Sequence, residues 1–160
     1  MYLVKTSDRQ GLSDALLALG SALTDPSMDD PDRLQEAVVV LRRAMELKKA
    51  LGDRFGLAEA YRLHGQLEIE LHNYDAAESM LAQALSIHQA LGAPFNIGAT
   101  HTALGVAALF RHDYDASRKH LDEALTIFKR TGDDIAASHV LMNAGELAIN
   151  QRDMARAQSL

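Results

Sequence analysis

Cysteine is absent from the chain, and this rules out disulfide frameworks, thiolate zinc sites and a cysteine nucleophile while permitting a reducing compartment. Proline is scarce, with three in 160 residues, and no segment alternates apolar and polar residues over a useful length, so a strand-rich fold has little support. No apolar run approaches the ~18 residues that cross a bilayer, and residues 1–6 lack the charged-then-apolar order of a secretion signal. A soluble protein is expected, in the cytoplasm, with no membrane partner. Lys and Arg gather only in short patches such as Arg42-Arg43 and Lys48-Lys49, in a chain of net charge -6, so a nucleic-acid backbone finds no basic surface and nucleic acid is excluded as a partner. No phosphate-cradling glycine loop, nucleophile elbow or Ser-His-Asp set stands at a useful spacing, so the chain reads as a non-enzyme without a cofactor.

What the chain has is a repeat. Its apolar content of 48% is enough to bury a continuous core. The segment from Leu51 to Ala90 returns forty residues later from Leu91 to Arg130, and a further copy opens at Thr131-Gly132-Asp133. Gly52/Gly92/Gly132, Phe55/Phe95/Ile135, Gly65/Gly105/Gly145, Tyr74/Tyr114/Met154, Leu81/Leu121 and Ala84/Ala124 recur in register. An earlier copy, aligned through Leu12, Asp14, Ala15 and Gly20, lies forty-five residues before its counterpart, so five extra residues fall in the turn-rich acidic stretch Thr24 to Pro31.

Each repeat holds two helical patterns. Leu57, Ala60, Tyr61, His64, Leu67 and Leu71, or Ala137, Val140, Leu141, Ala144, Leu147 and Ala148, fall at spacings of three and four and predict one buried face per helix. Asn73 and Asp113 are expected to cap the second helices, as is Asp30 with Pro31 at the first helical position. Gly52, Gly92 and Gly132 stand where a left-handed residue would end them. The recurring Gly20, Gly65, Gly105 and Gly145 each cost a helix about 1 kcal/mol relative to Ala, which implies that the two helices of each hairpin touch there.

Gly65, Tyr74, Ala77, Leu81, Ala84 and Leu85, followed by Gly105, Tyr114, Ser117, Leu121, Ala124 and Leu125, resemble the signature of the tetratricopeptide repeat family. Its usual period is 34; the forty-residue spacing, with Gly52-Asp53 leading to Ala58, Ala60 and Tyr61, is similar to the longer-helix subtype of G-protein-regulatory scaffolds, kinesin light chains and many bacterial regulators. The resemblance implies an all-α fold, a right-handed α-solenoid of four antiparallel helix hairpins covering residues 1–160. The hairpins run approximately 7–50, 51–90, 91–130 and 131–160, with 1–6 and 153–160 as partial repeat helices of a longer array. The alternative is a complete small protein with a short terminal helix, in which case the exposed end would favour pairing with a second chain.

In arrays of this family the first helices line a concave surface, and the matching positions are the expected partner-binding groove. They are Glu59, Arg62, Gln66, Ile69 and Glu70; Ala99, Thr102, Val106, Leu109 and Phe110; His139, Met142, Glu146, Ile149 and Asn150; and Asp14, Leu17, Ser21, Thr24 and Asp25. Asn143 matches an Asn that contacts ligand backbone in the long-repeat subtype. Asp14, Asp25, Glu59, Glu70 and Glu146 face only Arg62, so a basic or mixed-charge peptide is favoured and the acidic tails bound by chaperone-type modules are not. Phe110, with Val106, Leu109 and Met142, is expected to form an apolar anchoring pocket. His64, His101 and Glu68 are expected to share a polar contact in the core, and the histidine spacings and the Asp25-to-Glu36 loop suit neither zinc nor calcium. The leading function is a protein-protein interaction module for an extended peptide or partner helix. A ligand-sensing regulatory domain of a bacterial-type signalling protein, and a spacer or oligomerisation element, are the alternatives.

Overall fold

A computed structural model describes the backbone of residues 6–23 and 31–158, with the side chains of 8–23 and 32–152. Among them the chain is entirely helical outside its turns. The helices are α1 (Thr6–Leu23), α2 (Pro31–Leu51), α3 (Arg54–Glu70), α4 (Tyr74–Leu91), α5 (Pro94–Phe110), α6 (Tyr114–Thr131) and α7 (Asp134–Gln158). They fall into two compact units, residues 1–91 and residues 92–160. In the first, α2 packs on α1, α3 on α2 and α4 on α3; in the second, α6 packs on α5 and α7 on α6. Pro31 is the first residue of α2, as expected, while its proposed cap Asp30, the rest of the inserted loop and residues 1–5 lie outside the described residues.

The turns follow from local chemistry. Gly52, Gly92 and Gly132 have φ of +70°, +63° and +73°, the left-handed region foreseen for them. At the end of α6 the Gly132 amide bonds back to the Lys129 carbonyl and Asp133 to that of Phe128, which satisfies carbonyls the helix leaves unpaired. His72 and His112 do the same for α3 and α5. Both adopt positive φ, and the following amides of Asn73 and Asp113 reach back to the Glu68 and Ala108 carbonyls. Asp53, Asp113 and Asp133 cap α3, α6 and α7 by accepting from the amides of Gly56, Ala116 and Ala136. Asn73 holds the cap position of α4, and its side-chain Nδ2 donates to Glu68 Oε2 at 2.9 Å, a tie to the preceding helix.

The marker glycines show why a small residue recurs. A Cβ built on Gly65 would lie 2.6 Å from Cγ of Leu81 and 3.2 Å from the Ala77 carbonyl oxygen; on Gly105 it would lie 2.8 Å from Leu121. Gly20 is crowded in the same way by Leu41. Each pair joins the first and second helices of one hairpin. Around them, Ala37, Leu41, Leu63 and Leu67 form the core of the first unit, and Leu109, Leu121, Ala124, Phe128, Ala137, Val140 and Leu147 that of the second.

The fourth hairpin departs from expectation. A turn near residue 152 followed by a second helix from Asp153 was expected, but α7 runs unbroken to Gln158. The position that holds left-handed His72 and His112 is Arg152 here. Ala155, Arg156, Ala157 and Gln158 are strong helix formers, and among the described residues no second helix packs back to enforce the turn, so local propensity prolongs the helix.

Candidate functional site

The positions expected to face a partner lie on α3 in the first unit and on α5 and α7 in the second, and the three segments differ sharply. On α3, the Arg62 guanidinium reaches Glu59 Oε2 at 2.8 Å through one nitrogen and Gln66 Oε1 at 2.9 Å through another. Glu59 Oε1 also lies 3.1 Å from Nε2 of His88, a fully buried side chain near the end of α4. Glu59, Arg62 and Gln66 are thus brought together, but they first serve one another, and less than a fifth of the Glu59 and Arg62 side chains is exposed. Glu70 stands exposed at the end of the same helix, while Ile69 is buried.

A parallel arrangement ties down Asp14. The Lys48 ammonium, buried on α2, bonds to Asp14 of α1 and to Asp53 Oδ2 at 2.8 Å, and Gln10 also donates to both carboxylates. Burial pushes the Asp53 carboxyl up, but the bonds from Lys48, the Gly56 amide and Gln10, together with the Lys48 charge, hold it below the ordinary 3.8. Burial pulls Lys48 down, and its bonds and charges with Asp14 and Asp53 outweigh that, leaving it above the ordinary 10.5. Asp14 is therefore matched by a cation of its own hairpin, and Glu59 lies beside the buried His88 ring as well as Arg62, so the stripe is less acidic than the sequence implies. The expectation missed this because Lys48 and His88 lie about thirty residues away in sequence.

On α5, Thr102 turns its hydroxyl onto the Gly98 carbonyl at 3.0 Å, Val106 is half-buried and Phe110 is 45% exposed. Leu109 is corrected: at 3% exposure it belongs to the core with Leu121 and Val140, so it cannot line an open pocket beside Phe110. Facing the second helix of its hairpin, it is claimed by the interior. On α7, His139, Met142 and Glu146 are exposed and Asn143 is half-buried.

The expected contact joining His64, His101 and Glu68 separates into two. His64 Nε2 lies 3.1 Å from Glu68 Oε1, one turn along α3. Nδ1 of His101 lies 3.0 Å from Nδ1 of His120 on α6, with the rings 5.3 Å apart. Burial holds His101 below 6.5, reinforced by the charges of His120 and Lys119 and opposed by Glu123. Burial likewise lowers His64, with Glu68 opposing and Arg42 adding to the shift. Among the described residues, no three His, Asp or Glu side chains converge as metal ligands.

One feature escaped the sequence reading although its signal was in the repeat. Phe55 and Phe95 are half-exposed at the starts of α3 and α5, the first ring 6.0 Å from His88 and the second 5.9 Å from Phe128. In the second unit Pro94, Phe95, Asp133, Asp134 and Ile135 line an open cleft beside the α6–α7 turn.

Scanned against models of protein families, the chain matches none, and a search of curated proteins finds no match. The likeness to tetratricopeptide repeats rests on the residues quoted for it. Among the described residues no helix is long and apolar enough to cross a membrane.

Proposed function

We propose that this chain is a tetratricopeptide-like module whose hairpins continue as a right-handed α-solenoid and whose first-helix stripe binds a protein partner, as an extended peptide or a helix. The observation that supports this best is the glycine-leucine contact repeated at Gly20, Gly65 and Gly105. It fixes each first helix against its second in the same register, so the residues outside the cores recur at equivalent positions of each first helix. Fold alone never names a function, and the partner class comes from the stripe itself. Among its described residues Asp14, Glu70 and Glu146 are exposed carboxylates, Gln66 and Asn143 offer amides suited to a peptide backbone, and Phe110 and Met142 offer apolar anchorage. A basic or mixed-charge peptide with an apolar anchor fits that chemistry. The module acts by binding, without catalysis or cofactor, in the cytoplasm.

The test is titration of the full chain with basic, acidic and apolar peptide pools, repeated with Phe110→Ala and Arg62→Glu. Saturable binding of basic-apolar peptides, weakened at least tenfold by Phe110→Ala, is the expected result. Absence of binding to every pool, or equal binding of acidic peptides, overturns it.

A further inference from the structure

Two imidazoles meet in the third hairpin where the first two place side chains without nitrogen. The residue four before each marker glycine is Leu16, Tyr61 or His101, and the residue just before each seated leucine is Val40, Met80 or His120. All six are buried or half-buried. Leu16 with Val40, and Tyr61 with Met80, show that a hairpin closes at this place by apolar packing alone. The third hairpin fills it with two titratable rings instead, which would repel each other if both took up a proton. Their Nδ1 atoms lie 3.0 Å apart and their ring centroids 5.3 Å apart.

Those separations suit a shared metal ion. A tetrahedral ion at zinc's usual distance from imidazole needs its two nitrogens about 3.3 Å apart and, with both rings aimed at it, their centroids about 5.2 Å apart. The rings already stand at nearly that spacing, so each has only to turn in place for the two Nδ1 lone pairs to converge. The proton that one Nδ1 now donates to the other then passes through solvent to Nε2 of its own ring, which leaves two neutral imidazoles in the form that binds metal. Burial, helped by the charges of His120 and Lys119, already favours the neutral form of His101. Glu123, three residues beyond His120 on α6, acts on His101 in the opposite sense, and the same negative charge favours a cation there, while the Lys119 charge disfavours one. Among the described residues no third carboxylate or imidazole converges on the pair. Both rings are only half-buried, so water can complete the coordination. The spacing in sequence concealed the pair, because its members stand nineteen residues apart on different helices.

We infer that His101 and His120 form a binding site for a divalent zinc-type cation, held through both Nδ1 atoms and completed by water. The ion staples α5 to α6 within one hairpin. This site shares no residue with the first-helix stripe and does not depend on peptide binding there.

The experiment titrates zinc chloride into the tag-free full chain by calorimetry while the imidazole nitrogen resonances are followed by NMR. One-to-one binding is expected, with the changes centred on His101 and His120 and a rise in melting temperature, since the ion binds the folded pair. Magnesium, which prefers oxygen ligands, should leave the same resonances in place. His101→Tyr and His120→Met, which borrow the residues of the second hairpin, should keep the helical content and each weaken zinc binding at least tenfold. His139→Gln, which removes an exposed imidazole of α7, should leave it unchanged. Absence of saturable zinc binding by the wild-type chain overturns the proposal. So do resonance changes centred on another histidine, or binding undiminished in both His101→Tyr and His120→Met.

Discussion

Leu81 stands where a side chain of Gly65 would be: a Cβ there would come within 2.6 Å of the leucine Cγ, with the Ala77 carbonyl oxygen 3.2 Å away. Neither obstacle is the free end of a long chain. Gly65→Ala gains about 1 kcal/mol of helix propensity but overpacks the contact, which costs about 1–3 kcal/mol, so a net loss of stability is expected. Gly145→Ala has the same propensity gain and no clash, and should stabilise by up to about 1 kcal/mol. Urea unfolding of the two variants checks the pair, which should move the midpoint in opposite directions with little change in slope.

That contrast also marks what the sequence could and could not convey. The all-helical fold, the left-handed glycines and the close approach at Gly65 and Gly105 were legible because each depends on residues inside one repeat. The burial of Leu109 was not, because residues on either side of a helical stripe differ by a fraction of a turn and only the facing helix decides which is interior. The engagement of Asp14 and Glu59 was hidden for a similar reason. Their partners, Lys48 and His88, are residues whose charge or polarity argues against burial until a carboxylate is placed beside them. The length of α7 was misread because a hairpin turn at Arg152 needs a second helix to hold it.

Asp53 caps α3 and also pairs with Lys48, two roles that substitution can separate. Asp53→Asn keeps a capping oxygen and removes the charge, and should cost about 1 kcal/mol at neutral pH, as expected for a partly exposed pair. Because the folded state holds the carboxyl below 3.8, its contribution is complete above that value and disappears as pH falls through the lower, folded one. Denaturation curves of wild type and Asp53→Asn should therefore differ at pH 7 and converge in strong acid.

The His101-His120 contact needs one ring to donate and the other to accept, so a second proton breaks it. Folding holds His101 below the ordinary 6.5, so the neutral ring is favoured in the native state, and stability present above 6.5 is lost as pH falls toward the depressed value. Melting temperature should drop between neutrality and about pH 5. His101→Gln should reduce that drop without abolishing it, since the buried His64 loses stability in the same direction.

Lys48, His88 and Phe128 occupy one position of the repeat and all are buried, and the residues opposite them on the first helices are Asp14, Glu59 and Ala99. The chain thus fills one repeat position with two polar pairs and with the Phe128 ring, which lies so close to Gly98 that a Cβ there would come within 2.7 Å, Ala99 packing against the same core. The second hairpin should accept the solution of the third once Ala58, the equivalent of Gly98, is also made glycine. His88→Phe alone leaves Glu59 with Arg62 but sets it beside a ring it cannot bond, and Glu59→Ala alone takes from the buried imidazole its nearby carboxylate; each should lower stability. In an Ala58→Gly background, which supplies the glycine that Phe128 packs on, the double variant Glu59→Ala/His88→Phe recreates the combination of the third hairpin and should recover part of the loss, with a coupling of about 1 kcal/mol in a double-mutant cycle. Additive losses would mean that the two side chains act independently and that their 3.1 Å approach contributes nothing to folding.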